Sequence, residues 1–153
     1  MKYILMKTIL LSGLLLSISC SVSGVRAFWE IPDPNLPYIA KVRVDPRWGY
    51  VVIYNPDICQ QIGAACGFFR THEFAHYWLK HPLPLSPASF PSSLEGEVDC
   101  WTAKYGKPNE IFAAYQLFLE DGSNPNWNTY GDPVQRAKRI RTCAIQAGNW
   151  IES

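Results

Sequence analysis

The sequence predicts an α+β fold, in which an N-terminal β-hairpin packs on a long helix and three further helices follow. Two observations predict it. Runs rich in β-formers lie in the first part of the chain, at 38–44 and 50–54. Helix caps, prolines and glycines then bound helical segments over the remainder. The length of the segment 28–153 suits one domain with one core.

Residues 1–27 have the features of a secretory signal peptide. Two lysines precede an apolar run at 9–18, and small side chains flank the arginine in the segment 25–27. We therefore expect cleavage before the domain 28–153. The apolar run is too short to span a bilayer, so no transmembrane anchor is expected after cleavage.

A lipoprotein signal, which would leave a lipid anchor on Cys20, is the alternative. Ser17 stands where such signals usually carry Leu. Leader removal takes three of the 14 basic residues and none of the 13 acidic ones, so the net charge falls from +1 to about −2. That charge does not indicate a nucleic-acid partner.

The first elements of the domain are extended. The segment 28–37 contains three prolines and is expected to form an extended lead-in. The runs at 38–44 and 50–54 flank a turn at 45–49, which predicts a hairpin.

Helices are predicted from Asn55 onward, with Asn55 as the cap and Pro56 in the first turn. This helical stretch should reach about Lys80, with a break near Gly63 or Gly67 as an alternative to one continuous helix. A proline-rich loop should follow. The last three helices are expected at about 93–105, 108–121 and 133–146.

Four cysteines follow the leader, and an even number in an exported chain predicts two disulfides. Of the three pairings, we favour Cys59–Cys66 as a local link and Cys100–Cys143 as a long one. A cysteine metal site is the rival, but the chain has no C-x-x-C spacing.

The first long helix carries the motif His72-Glu73-Phe74-Ala75-His76. Positions i and i+4 share a helix face, so both imidazoles can bind one metal ion, with Glu73 beside them. This is the first half of a zinc hydrolase site, in which Glu73 would act as the base for a zinc-bound water. The alternative is an exposed helix face with two solvated histidines.

Catalytic zinc usually has three protein ligands, so a third must come from elsewhere. His81 is not expected to supply it, because nine helical steps place it about 180° from His72, and it suits a cation at the helix end. Glu95 and Asp99 share a face of the next helix, so one can bind the metal while the other orients a ligand imidazole. The residues before Glu95 also match a capping box, which is its alternative role.

The segment H-E-F-A-H, followed about twenty residues later by E-G-E-V-D-C-W-T-A, resembles the gluzincin metallopeptidases. It is most similar to the membrane prenyl-protein endopeptidases and their relatives, whose second motif is E-x-x-A-D-x-x-A. The resemblance implies a small zincin-like domain with its hairpin on the active-site helix. It also implies one Zn²⁺ per chain, with His72, His76 and Glu95 as ligands and Asp99 as the partner of a ligand imidazole.

The resemblance further implies a contact to substrate or transition state from the last helix. The family often has a His-Pro pair before an arginine there; this chain has Asp132-Pro133. Arg139, or Arg136, is the candidate, and a solvated basic face is the alternative. Tyr130 is among the tyrosines that could donate a hydrogen bond to the oxyanion.

These observations predict a secreted or periplasmic zinc metallopeptidase that hydrolyses peptide bonds of a peptide or protein substrate. The hairpin would hold that substrate in an extended form by strand addition. The alternative is a non-catalytic interaction module on the same scaffold, with a structural or vestigial metal site.

Overall fold

The computed structural model describes residues 28–83, 92–120 and 132–151. Over these ranges a small sheet precedes five helices, which confirms the α+β prediction. The strands are β1 (Trp29–Pro32), β2 (Ala40–Asp45) and β3 (Gly49–Tyr54). The helices are α1 (Pro56–Ile62), α2 (Ala65–Trp78), α3 (Ser92–Tyr105), α4 (Pro108–Glu120) and α5 (Pro133–Gln146). The leader lies outside the described residues.

The sheet has the order β1-β3-β2, so β2 is an edge strand. β2 and β3 pair antiparallel, which confirms the hairpin. The turn is closed by Asp45, whose carboxylate accepts the backbone N–H of Arg47 at 2.8 Å, and by Gly49 at a φ of 75°. The lead-in is extended as expected, but it also pairs in parallel with β3, with Trp29 opposite Val51. This pairing joins segments distant in sequence, and no local pattern signals it.

The helical stretch after the hairpin is broken near Gly63, one of the two positions expected. Asn55 caps α1, and its side-chain oxygen accepts the N–H groups of Asp57 and Ile58 at 2.9 and 3.1 Å. Gly63 adopts a φ of 58°, a conformation that glycine reaches without the Cβ penalty of other residues, and the helix ends there. α2 then starts afresh at Ala65.

Both disulfides have the favoured pairing. Cys59–Cys66 links α1 to α2 across the break, and Cys100–Cys143 links α3 to α5. Two disulfides fit an extracellular protein. In the described ranges, no helix has the length and apolar character needed to cross a bilayer.

The core lies between the sheet and the helices and places α2 at the centre. Its largest fully buried side chains include Phe68 of α2, Ile111 and Phe118 of α4, Ile140 of α5 and Val52 of β3. Burying a side chain of this kind stabilises the fold by about 1.5–3 kcal/mol. This packing fixes α2 against the hairpin on one side and against α3 and α4 on the other.

Candidate metal centre

Three buried side chains from two helices converge on one point. His72 and His76 lie one turn apart on α2, and their Nε2 atoms are 3.3 Å apart. Glu95 of α3 faces them, with Oε2 at 2.9 Å from Nε2 of His72 and Oε1 at 3.7 Å from Nε2 of His76. The three residues are 3%, 0% and 2% exposed. The alternative of two solvated histidines is therefore wrong.

This group could hold a metal ion, because one ligand atom from each residue lies within 4.8 Å of the others. A tetrahedral ion at 2.0–2.1 Å from each ligand atom requires separations of about 3.3 Å between those atoms. The two histidine Nε2 atoms have that separation, 3.3 Å, and each faces a different oxygen of Glu95, Oε2 at 2.9 Å from His72 and Oε1 at 3.7 Å from His76. The carboxylate of Glu95 is directed into the group, which favours a ligand role over the capping alternative.

Asp99 lies on the far side of His72, where the prediction places it. Its Oδ1 is 3.1 Å from Nδ1 of His72. The ring N–H is not aimed straight at this oxygen, and no other described residue offers Nδ1 a well-aligned partner. The contact is therefore mainly electrostatic, and it orients the ring with Nε2 toward the site.

Two arginines of α5 hold Asp99 in place. Arg136 donates to both carboxylate oxygens at 2.7 and 3.0 Å, and Arg139 donates to Oδ2 at 3.0 Å. Arg136 is only 2% exposed, so the expectation of a solvated basic face is wrong for this residue. Its burial depends on a carboxylate of another helix, and the local sequence of α5 gives no signal of it. The proximity of the two helices follows from the Cys100–Cys143 link.

Arg139 remains a predicted substrate contact. Its side chain is 34% exposed, and its guanidinium passes close over Gly96, where a Cβ would lie 3.3 Å from Cζ. One side of the guanidinium contacts Asp99, and the side chain reaches solvent. Tyr130, the other candidate, lies outside the described residues.

Glu73 lies beside the metal-ligand group and contacts the hairpin. Its Oε2 accepts the backbone N–H of Val42 at 2.8 Å. In the β2–β3 ladder Val42 is not one of the residues that bond to β3, so its N–H points outward from the sheet edge toward α2. Burial raises the pKa of Glu73 to about 7, although the charge on His72 and the Val42 hydrogen bond oppose the rise. Glu73 can therefore gain or lose a proton near neutral pH.

The pKa values of the two imidazoles differ sharply in the metal-free protein. Burial opposes protonation of His72, but the neighbouring carboxylates of Asp99 and Glu95 outweigh it and raise its pKa to about 9. Burial and the charge on His72 lower the pKa of His76 far below its usual range. Asp99 is held ionised, because Arg136 and His72 outweigh the effect of burial and depress its pKa. A metal ion bound to Nε2 of His72 would therefore have to displace the proton there.

His81 lies in a different place from the one expected. The projection onto the opposite face assumes a continuous helix, but α2 ends at Trp78 and Lys80 has a φ of 60°. The chain reverses there, and Nδ1 of His81 comes to 3.1 Å from Nδ1 of His76. The side chain is only 6% exposed, and its Nε2 lies 3.3 Å from Oε2 of Glu97. A turn through a non-glycine residue is not signalled by the sequence.

Comparison of the chain with protein-family models, with curated proteins and with solved structures gave no match. The site offers two imidazole nitrogens from α2 and one carboxylate from α3. A second carboxylate, that of Glu73, lies on α2 and has a pKa of about 7.

Proposed function

We propose that this chain is an exported zinc-dependent metallopeptidase of the gluzincin type. The carrying observation is the convergence of His72, His76 and Glu95 within 4.8 Å, in a buried group beside Glu73. Two imidazole nitrogens and one carboxylate oxygen suit zinc, and three protein ligands are typical of a catalytic rather than a structural zinc site. The two disulfides support export.

The residues of the site would have two roles, metal binding and proton transfer. His72, His76 and Glu95 would hold the ion, which when bound lowers the pKa of water to about 7 and polarises a carbonyl oxygen. Glu73 takes the proton of the attacking water and returns it to the leaving amine. Its position on α2 beside the two imidazoles, with the carboxylate held by the Val42 amide, suits both roles.

The edge strand β2 offers the place for an extended substrate. By the alternation of the ladder, the backbone groups of Ala40, Val42 and Val44 point away from β3. The N–H of Val42 is already engaged by Glu73. A peptide that adds to this edge would therefore use the groups of Ala40 and Val44, on either side of the Glu73 contact.

The variant Glu73→Gln tests the proposal, with Glu120→Gln on the exposed end of α4 as the matched control. We expect one zinc per chain by mass spectrometry in the wild type and in both variants. Hydrolysis of a peptide library should fall by about 10²–10⁴-fold in Glu73→Gln, because a general base supplies that factor, and should be unchanged in Glu120→Gln. Zinc-loaded wild type that cleaves nothing in the library would overturn the peptidase assignment.

The non-catalytic alternative is favoured by one observation, the near-complete burial of all three ligand residues. Structural zinc sites are closed to water, whereas catalytic sites keep an open position. Cobalt substitution distinguishes a catalytic from a structural site. At a site with an exchangeable water, azide or another small anion replaces that water and changes the cobalt absorption spectrum. A spectrum that no anion alters would favour the interaction module.

A further inference from the structure

The end of α2 is a Schellman motif, and it determines where His81 lies. The N–H of His81 donates to the carbonyl of His76 at 2.9 Å, and the N–H of Lys80 donates to the carbonyl of Tyr77 at 3.0 Å. Lys80 occupies the left-handed position between them, with a φ of 60°. In this motif the residue after the left-handed position contacts the one five positions earlier. Here that contact joins two imidazole rings, with centroids 5.2 Å apart.

The contact fixes which nitrogen of His76 carries the proton. Nδ1 of His76 and Nδ1 of His81 are 3.1 Å apart, so one must donate and the other accept. The Nε2 atom of His76 faces His72 and Glu95, and a metal ligand must offer its lone pair there. The proton of His76 then lies on Nδ1, which donates to His81.

The same logic places the proton of His81 on its other nitrogen. Nε2 of His81 lies 3.3 Å from Oε2 of Glu97, an exposed carboxylate on α3. His81 Nε2–H therefore donates to Glu97. The result is a directed chain from His76 through His81 to Glu97, which joins the end of α2 to α3 beside the ligand Glu95.

We propose that His81 is a positioning residue for the metal site: it accepts the Nδ1–H of His76 and so holds that ring in the tautomer and orientation that present Nε2 to a metal ion. This inference rests on the proposed metal site. Outer partners of ligand histidines usually contribute a factor of about 10–100 in metal affinity. Asp99 lies 3.1 Å from Nδ1 of His72, so each ligand imidazole has its own neighbouring group from a different part of the chain.

The test compares zinc affinity in two variants at His81. His81→Leu removes the acceptor and keeps an apolar side chain of similar size, whereas His81→Asn keeps an acceptor oxygen at the position of Nδ1. Zinc dissociation constants would be measured by chelator competition at one pH, with cobalt spectra as a second readout. We expect His81→Leu to bind zinc about 10–100-fold more weakly, and His81→Asn to stay within a few-fold of wild type.

Lys80→Gly is the matched control, because glycine occupies the left-handed position of this turn without strain. It should bind zinc as wild type does. Wild-type affinity in His81→Leu would overturn the positioning role and leave the metal site standing. Equal losses in His81→Leu and His81→Asn would also overturn it, since hydrogen-bond acceptance would not be the cause.

Two further outcomes are separable from these. If His81→Leu does not fold by circular dichroism, Glu97→Ala decides, because loss of the group that orients His81 should weaken zinc binding by a few-fold without touching the core. Unchanged affinity there would overturn the inference. Failure of the wild type to bind zinc would overturn the proposed function and this inference with it.

Discussion

Replacement of Asp99 by Asn should destabilise the protein and weaken metal binding together. The carboxylate receives two hydrogen bonds from buried Arg136 and one from Arg139, and it lies 3.1 Å from His72. Removal of one partner of a buried ion pair costs about 3–5 kcal/mol, because the other charge is left uncompensated. Asn retains one acceptor oxygen, so we expect the low end, about 3 kcal/mol.

Urea denaturation of the metal-free protein measures the free energy of unfolding, and chelator competition measures zinc affinity. We expect zinc binding to weaken by about 10–100-fold, as for other partners of ligand histidines. Asp57→Asn, at an exposed site in the first turn of α1, is the matched control and should change neither quantity by much. A loss below about 1 kcal/mol in Asp99→Asn would refute the reasoning, since that is the range of exposed ion pairs.

The pH dependence of the same variant gives an independent check. The folded-state pKa of Asp99 is depressed, so its contribution to stability is present above the ordinary pKa of about 3.9 and is lost as the pH falls below it. Wild type should therefore lose stability more steeply than Asp99→Asn between about pH 4 and pH 2. A double variant with Arg136→Met should recover part of the loss, because the unpaired guanidinium is gone.

Zinc binding at pH 7 should release at least about one proton per ion, because His72 is protonated in the metal-free protein with a pKa of about 9 and must be neutral as a ligand. Calorimetry in buffers of different ionisation enthalpy counts the protons, and a count of zero would contradict the assignment of His72. Removal of the second disulfide by Cys100→Ala and Cys143→Ala should cost about 4 kcal/mol, from the chain entropy of a loop with a sequence separation of 43. A change below about 1 kcal/mol in urea denaturation would contradict this.

The sequence predicts the structure correctly where an element is determined by neighbouring residues. Pro108 and Pro133 mark helix starts that the structure reproduces, and Asn55 caps α1 through its side chain. The metal-ligand group is also local in origin, because the spacing of His72 and His76 sets a shared helix face. Only the meeting of that face with Glu95 needed an assumption about tertiary packing, and the structure bears out this proximity.

The features that sequence reasoning did not reach are all non-local or depend on one backbone angle. The parallel pairing of β1 requires a partner 22 residues away, and nothing in Trp29–Pro32 selects it. The burial of Arg136 depends on a carboxylate from another helix. His81 was misplaced because a left-handed residue is usually glycine, and Lys80 gives no such signal.

The hydrogen bond from the Val42 amide to Glu73 ties the orientation of a side chain on α2 to the register of the hairpin. Outward and inward amides alternate along a strand, so a shift of β2 against β3 by one position would turn the Val42 amide inward and bring up Lys41 or Arg43. Most substitutions at residue 42 would leave the amide in place, whereas proline would remove it. The orientation of the Glu73 carboxylate therefore depends on the pairing of β2 with β3, which few side-chain substitutions would change.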